Sequence, residues 1–178
     1  MWAMAEYIVA PASTLRRVPT GVSASAAAGV GVAAATAYQA MNGLAISPGT
    51  KLLILGGSSA IGLFATAMAK DKGCSRITVT STNDALCRSF GATEVINYKT
   101  TDWLAALKGQ DFDCVLDTVE GVKGWRGSLR SWCTGLTTID LTPLSNIMAA
   151  GHFGLRWYHC ANGVLNDSDG HSDGYTLT

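Results

Sequence analysis

The sequence predicts an α/β protein built on a doubly wound, parallel sheet of Rossmann type, and three observations carry that prediction. Short apolar runs alternate with helical stretches along most of the chain. KLLIL at Lys51–Leu55 is apolar almost throughout, as expected of a strand covered on both faces. A glycine-rich turn follows it at once and opens an alanine-rich helix. For such an alternation, right-handed crossovers leave a parallel sheet as the simplest topology.

At 178 residues the chain fits one domain, or one domain and a fragment of another. Hydrophobic residues make up 48% and charged residues 15%, with 13 basic and 13 acidic side chains. No sign of charge dominates, which argues against a nucleic-acid partner or a polybasic membrane patch. The longest apolar stretch, residues 24–38, is mostly Ala, Gly and Val, too short and weakly hydrophobic for membrane insertion. MWAMAEYIVAPAS shows no secretory signal, so a reducing compartment, cytoplasmic or mitochondrial, is expected. Cys74, Cys87, Cys114, Cys133 and Cys160 form no CxxC pair and read as buried or idle thiols. His152 and His159 near Cys160 lack ligand spacing, so no metal is expected.

In chain order, residues 6–9 form a strand-like run ended by Pro11, and Pro19-Thr20-Gly21 is a turn. Ser23 caps a helix over residues 24–28, which Gly29 and Gly31 interrupt. A second helix starts near Ala33, passes Thr36, Tyr38 and Met41, and stops at Asn42-Gly43. After Lys51–Leu55 and its turn, a helix over residues 60–70 ends at Gly73. RITVT at Arg76–Thr80 is a strand, residues 84–90 a helix closed by Gly91, and residues 94–98 (EVINY) a strand. Thr101 caps a helix to Lys108, residues 112–116 (FDCVL) form a strand, residues 124–133 a helix, and residues 136–141 (LTTIDL) a fifth strand. From about Trp157 the sequence turns polar and glycine-rich, as for a disordered end.

The turn GGSSAIG carries the chemistry. A dinucleotide site needs a strand that stops abruptly, backbone N–H groups facing a pyrophosphate, and a helix N-terminus whose dipole favours the anion. Gly56 suits the tight turn and Gly62 close helix–strand packing, while the Ser58 and Ser59 hydroxyls are candidate phosphate donors. The spacing is GxxSxxG, with Ser59 where a third glycine is usual, and no GK[ST] ending points to an ATP loop. A plain βα turn of a flavodoxin-like fold is the competing reading. The second strand runs out through Thr80, Ser81, Thr82 and Asn83, all neutral donors where NAD-selective sites place a carboxylate. NADP(H) is therefore expected over NAD(H).

At these residues the chain resembles the medium-chain dehydrogenase/reductases, and within them the zinc-free quinone oxidoreductase-like branch. The blocks that carry the likeness are AEYIVAP, AAATAYQAM, SPGTKLLILGG, FGATEVINYKT and DFDCVLDTVEG, in the family's order over residues 5–150. LRSWCTGLTTIDLTPLSN is most similar to the reticulon-4-interacting protein-like group. The resemblance implies NADPH-dependent reduction of a quinone or enone, with a homodimer in the full-length family. It places the pyrophosphate on Gly56, Ser58, Ser59, Ala60, Ile61 and Gly62, and the adenosine ribose among Ser81, Thr82 and Tyr98. Thr36, Thr118, Val119 and Leu141 approach the nicotinamide end. No residue is assigned as catalytic, since the cofactor carries the chemistry, and Asp117 reads as a loop-orienting carboxylate. The family's long barrel sequence is almost wholly missing, which implies a truncated chain. Residues 1–22 then read as a barrel remnant, residues 23–156 as the Rossmann domain and residues 157–178 as a divergent tail. A catalytically silent nucleotide-binding module is the alternative to an active reductase.

Overall fold

The computed structural model describes residues 6–44, 46–119, 137–141, 155–161 and 164–167, the last three stretches as backbone. Among these residues, the strands β1 (Lys51–Leu55), β2 (Arg76–Thr80), β3 (Glu94–Ile96), β4 (Cys114–Asp117), β5 (Thr137–Leu141), β6 (Leu155–Ala161) and β7 (Val164–Asp167) form one sheet in the order β3-β2-β1-β4-β5-β6-β7. The first five pair in parallel, and β6 and β7 are added antiparallel. The chain winds from β1 outward to β3, then crosses back past β1 to β4 and β5. That reversal is a topological switch point, and Leu55 pairs there with both Thr80 and Asp117.

Alternation along β1 explains why both faces of the sheet are covered. Leu52 and Ile54 point into a cluster with Ala37, Ala40, Met41, Ala65 and Ala69, from helices α2 (Ala35–Gly43) and α3 (Ala60–Asp71). Leu53 and Leu55 point the other way, into Ile96, Leu107, Phe112 and Val115, with α5 (Trp103–Leu107) on that side. Burying each such leucine is worth about 1.5–3 kcal/mol, which fixes the register of the central strand.

The five parallel strands expected from the apolar runs are present; β3 stops two residues earlier than expected, β4 starts two later and ends one later, and β5 starts one later. Four expectations need correction. Residues 6–9 form no strand; with no strand beside them among the described residues to take the ladder, Tyr7 and Val9 stand 91% and 99% exposed. Gly29 and Gly31 do not break the helix. A π turn at Val30–Ala34 carries α1 (Ala24–Gly29) directly into α2, and both glycines have open space around them. Asp102, rather than Thr101, caps α5, its carboxylate accepting from the amides of Leu104 and Ala105. Residues 157–161 and 164–167 belong to β6 and β7 rather than to a structureless end. The helix expected at 124–133 and residues 168–178 lie outside the described residues.

Candidate nucleotide-binding site

The loop after β1 is held by its own backbone. Gly56 adopts φ +83°, a left-handed conformation that favours glycine, and its N–H donates to Thr80 Oγ1 at 3.0 Å. The Gly57 N–H donates to the Thr80 carbonyl at 2.9 Å, so the turn is pinned to the end of β2. A Cβ on Gly57 would stand 2.6 Å from Val79 Cβ, and one on Gly62 only 2.4 Å from the Gly56 carbonyl oxygen. Close packing of α3 against the loop therefore excludes a side chain at Gly62. Thr66 adds a buried hydroxyl bond back to the Gly62 carbonyl at 2.7 Å.

At the start of α3 the first-turn amides have no preceding carbonyl in the helix. Ser59 caps two of the backbone positions: its Oγ accepts from the Gly62 N–H at 2.9 Å and its carbonyl from Leu63. The amides of Ala60 and Ile61 take no part in these bonds, and the first turn of α3 carries no acidic side chain. Their N–H groups and the helix dipole thus make a local field suited to an anion. Ser58 is exposed beside them. The Ser59 Oγ accepts from the Gly62 N–H and lies 3.0 Å from Thr118 Oγ1.

Apart from Thr36, the other residues singled out in the sequence follow or end strands on the carboxyl edge of the sheet. Thr118 and Val119 follow β4 and touch the loop directly: a Cβ on Gly56 would meet Thr118 Oγ1 at 2.6 Å and Val119 Cγ2 at 2.5 Å. Ser81 is buried at the end of β2, its Oγ accepting from the Asn83 N–H at 3.0 Å, whereas Thr82 is exposed. Tyr98, after β3, is half exposed. Leu141 is the last residue of β5, at the same carboxyl edge. Thr36 is placed in α2, which packs on α3, and is only 3% exposed; its Oγ1 has no hydrogen-bond partner among the described residues. Such an orphan is costly unless a ligand or water answers it. Asp117 orients the turn as expected, accepting from the Val119 N–H at 2.9 Å.

Sequence reasoning took Thr80 for a neutral donor and missed that its hydroxyl and carbonyl oxygens hold two loop amides; it missed too that Val79 requires Gly57 to be small. A threonine ending an apolar strand is the signal that was available. Arg88 donates to Asp84 at 2.8 Å and to the Thr93 carbonyl at 3.0 Å, so it does not reach back toward the strand end. No group of three or more His, Cys, Asp or Glu side chains converges among the described residues, and no helix there is long and apolar enough to cross a membrane.

A parallel, doubly wound sheet with its glycine turn at the switch point defines the class as a Rossmann-type α/β domain. The zinc-binding dehydrogenase family matches residues 60–132. A zinc-type alcohol dehydrogenase-like protein of Schizosaccharomyces pombe is 40% identical over 122 residues, which are 65% of this chain and 35% of that protein. A trans-enoyl reductase of Aspergillus terreus is 41% identical over 119 residues, 65% of this chain and 33% of its own length. The mitochondrial NAD(P)H oxidoreductase RTN4IP1 of Danio rerio is 32% identical over 150 residues, 79% of this chain and 38% of that protein. Among solved structures, the quinone oxidoreductase of Thermus thermophilus, determined also with NADPH, superposes with a TM-score of 0.54 at 26% identity, over 75% of this chain and 46% of that one. Over the matched residues the chain is similar to members of the medium-chain dehydrogenase/reductase superfamily. It spans about a third of the length of the curated relatives it matches.

Proposed function

We propose that the chain is the nucleotide-binding part of an NAD(P)H-dependent reductase of the zinc-free quinone and enone type, preferring NADP(H). The single observation that carries this reading is the α3 N-terminus at the switch point, with unused amides at Ala60 and Ile61 and no carboxylate in its first turn. Gly56, Ser58, Ala60, Ile61 and Gly62 would hold the pyrophosphate, and Ser81, Thr82 and Tyr98 the adenosine ribose. Thr36, Thr118, Val119 and Leu141 would lie toward the nicotinamide. The unanswered hydroxyl of Thr36 fits a ligand amide, which supplies both a donor and an acceptor. The cofactor, when bound, supplies the hydride; these residues orient it and exclude water.

The same reading takes residues 23–156 as the nucleotide-binding domain and residues 1–22 as barrel-derived, with a small-molecule quinone or enone as substrate. Homodimerisation and a cytoplasmic or mitochondrial location, without bound metal, complete it. The NADPH complex of the Thermus thermophilus relative and the enoyl reductase likeness support it. Calorimetric titration with NADPH, followed by steady-state NADPH oxidation with a simple quinone and with an enone, tests it. Binding with turnover is expected. Binding without turnover would leave a nucleotide-binding module, and no binding of either nicotinamide nucleotide would overturn the assignment.

A further inference from the structure

We propose that Ser59 and Thr118 are positioning residues that lock the glycine loop through a chain of hydroxyl groups, shaping the phosphate cradle without contacting the nucleotide. The inference rests on the nucleotide reading above for its consequence and on the loop geometry alone for its existence. Thr118 has one hydroxyl proton, and two carbonyls lie within its reach, Leu55 at 2.8 Å and Gly56 at 3.2 Å. Carbonyls only accept, so that proton goes to them. The 3.0 Å contact between Ser59 Oγ and Thr118 Oγ1 then takes the proton of Ser59. Ser59 Oγ still accepts the Gly62 N–H at 2.9 Å.

The chain therefore runs from the Gly62 amide through Ser59 and Thr118 to the carbonyl that ends β1, tying together β1, β4 and the start of α3. The Thr118 N–H reinforces it with a second bond to the Leu55 carbonyl at 3.1 Å. Ser59 sits at φ −66° and ψ 155°, extended backbone that any residue adopts, so its Cβ costs nothing locally. Serine in place of the usual glycine is thus a fastening, and the phosphate-donor role falls to exposed Ser58. One consequence is that the two ends of the nucleotide site are mechanically joined, because Thr118 stands toward the nicotinamide and Ser59 at the phosphates.

The test is a double-mutant cycle on Ser59→Ala and Thr118→Val, with Thr118→Ser as the conservative rescue and Ser59→Gly as the family-like variant. Readouts are dissociation constants for NADPH and for 2′-AMP, which has no 5′-phosphate, and unfolding free energy without nucleotide. Each single change should weaken NADPH about fivefold, and the double variant should be no weaker than the worse single, since both break one chain. Thr118→Ser should restore wild-type affinity, and 2′-AMP binding should not move, which separates positioning from general loss of structure. Ser59→Gly should bind NADPH more weakly than wild type. Additive single effects, or tighter binding by Ser59→Gly, would overturn the lock. If wild type binds no dinucleotide, the nucleotide reading alone fails; the unfolding cycle then decides the lock, non-additivity supporting it and additivity overturning it.

Discussion

The two ends of the parallel strands are finished in opposite ways. At the amino end, side chains close the sheet: Arg76 bridges Glu94 at 2.6 Å, bonds Gln110 and lies 5.0 Å from the Phe112 ring centre, while Thr78 donates to the same Glu94 carboxylate at 2.9 Å. Asp113 accepts from the Lys51 N–H at 2.8 Å beside them. At the carboxyl end, glycines bring backbone against backbone, and the amides of Ala60 and Ile61 are left unused by the loop. The first arrangement consumes its donors and adds stability. The second keeps donors in reserve, which is what a ligand site requires.

The largest effect should come from breaking the carboxyl end. Gly62→Asp places a Cβ 2.4 Å from a backbone oxygen and a carboxylate at the helix N-terminus, where a phosphate would sit. NADPH affinity should fall at least about 100-fold, roughly 2.7 kcal/mol. Calorimetry on protein whose circular dichroism shows it folded checks this, and unchanged affinity would erase the distinction between the two ends.

At the amino end the expected pattern is reversed: stability should change and nucleotide affinity should not. Arg76→Ala removes a charge-assisted bond and a ring contact from side chains about a third exposed, so screening limits the loss to about 1 kcal/mol. Denaturant unfolding measures it, and a matching loss of NADPH affinity would show that the ends are not independent.

Acid should sharpen the same contrast. Partial burial opposes ionisation of Glu94, but the bonds from Arg76 and Thr78 and the Arg76 charge outweigh it and hold the carboxyl below its ordinary range. A depressed folded pKa contributes stability that is fully present above the unfolded value and is lost as pH falls through the folded one. The melting-temperature gap between wild type and Glu94→Gln should therefore be constant near neutrality and close at pH values below the ordinary glutamate range. A gap that persists into strong acid would show that the contribution is packing.

Most of the sheet was legible because β1 combines an uninterrupted apolar run with a glycine turn, and each later run has its own punctuation. The missed features share a physical cause. Residues 6–9 have strand-like composition, but a strand exists only with a partner, and composition names no partner. The π turn at Val30–Ala34 was hidden because glycines tolerate a break and a bulge equally well. At the site, spacing located Gly56 and Gly62, yet the roles of Ser59 and Thr80 depend on contacts with residues 59 and 24 positions away, beyond the reach of any local pattern.

The smallest expected effect concerns nucleotide choice, and the structure narrows it. The end of β2 offers no carboxylate to repel a 2′-phosphate, and buried Ser81 accepts from the Asn83 amide while keeping its own hydroxyl proton. Exposed Thr82 and half-exposed Tyr98 stand beside it as further neutral donors. The nearest cation on the following helix, Arg88, is paired with Asp84, so each cancels the field of the other at the ribose. NADP(H) should therefore be favoured over NAD(H) by about 1 kcal/mol, roughly fivefold, with neutral hydrogen bonds as its only source. Asp84→Asn removes the counter-charge and loosens Arg88 from α4 (Asp84–Ser89), letting its guanidinium add to the attraction. The preference should then rise by a further factor of about two to three, since the pair is exposed and screened. Dissociation constants for both nucleotides at two salt concentrations decide the matter: the added preference should shrink at high salt while the neutral fivefold stays, and equal binding of NADH and NADPH by wild type would show that the end of β2 does not read the 2′-phosphate.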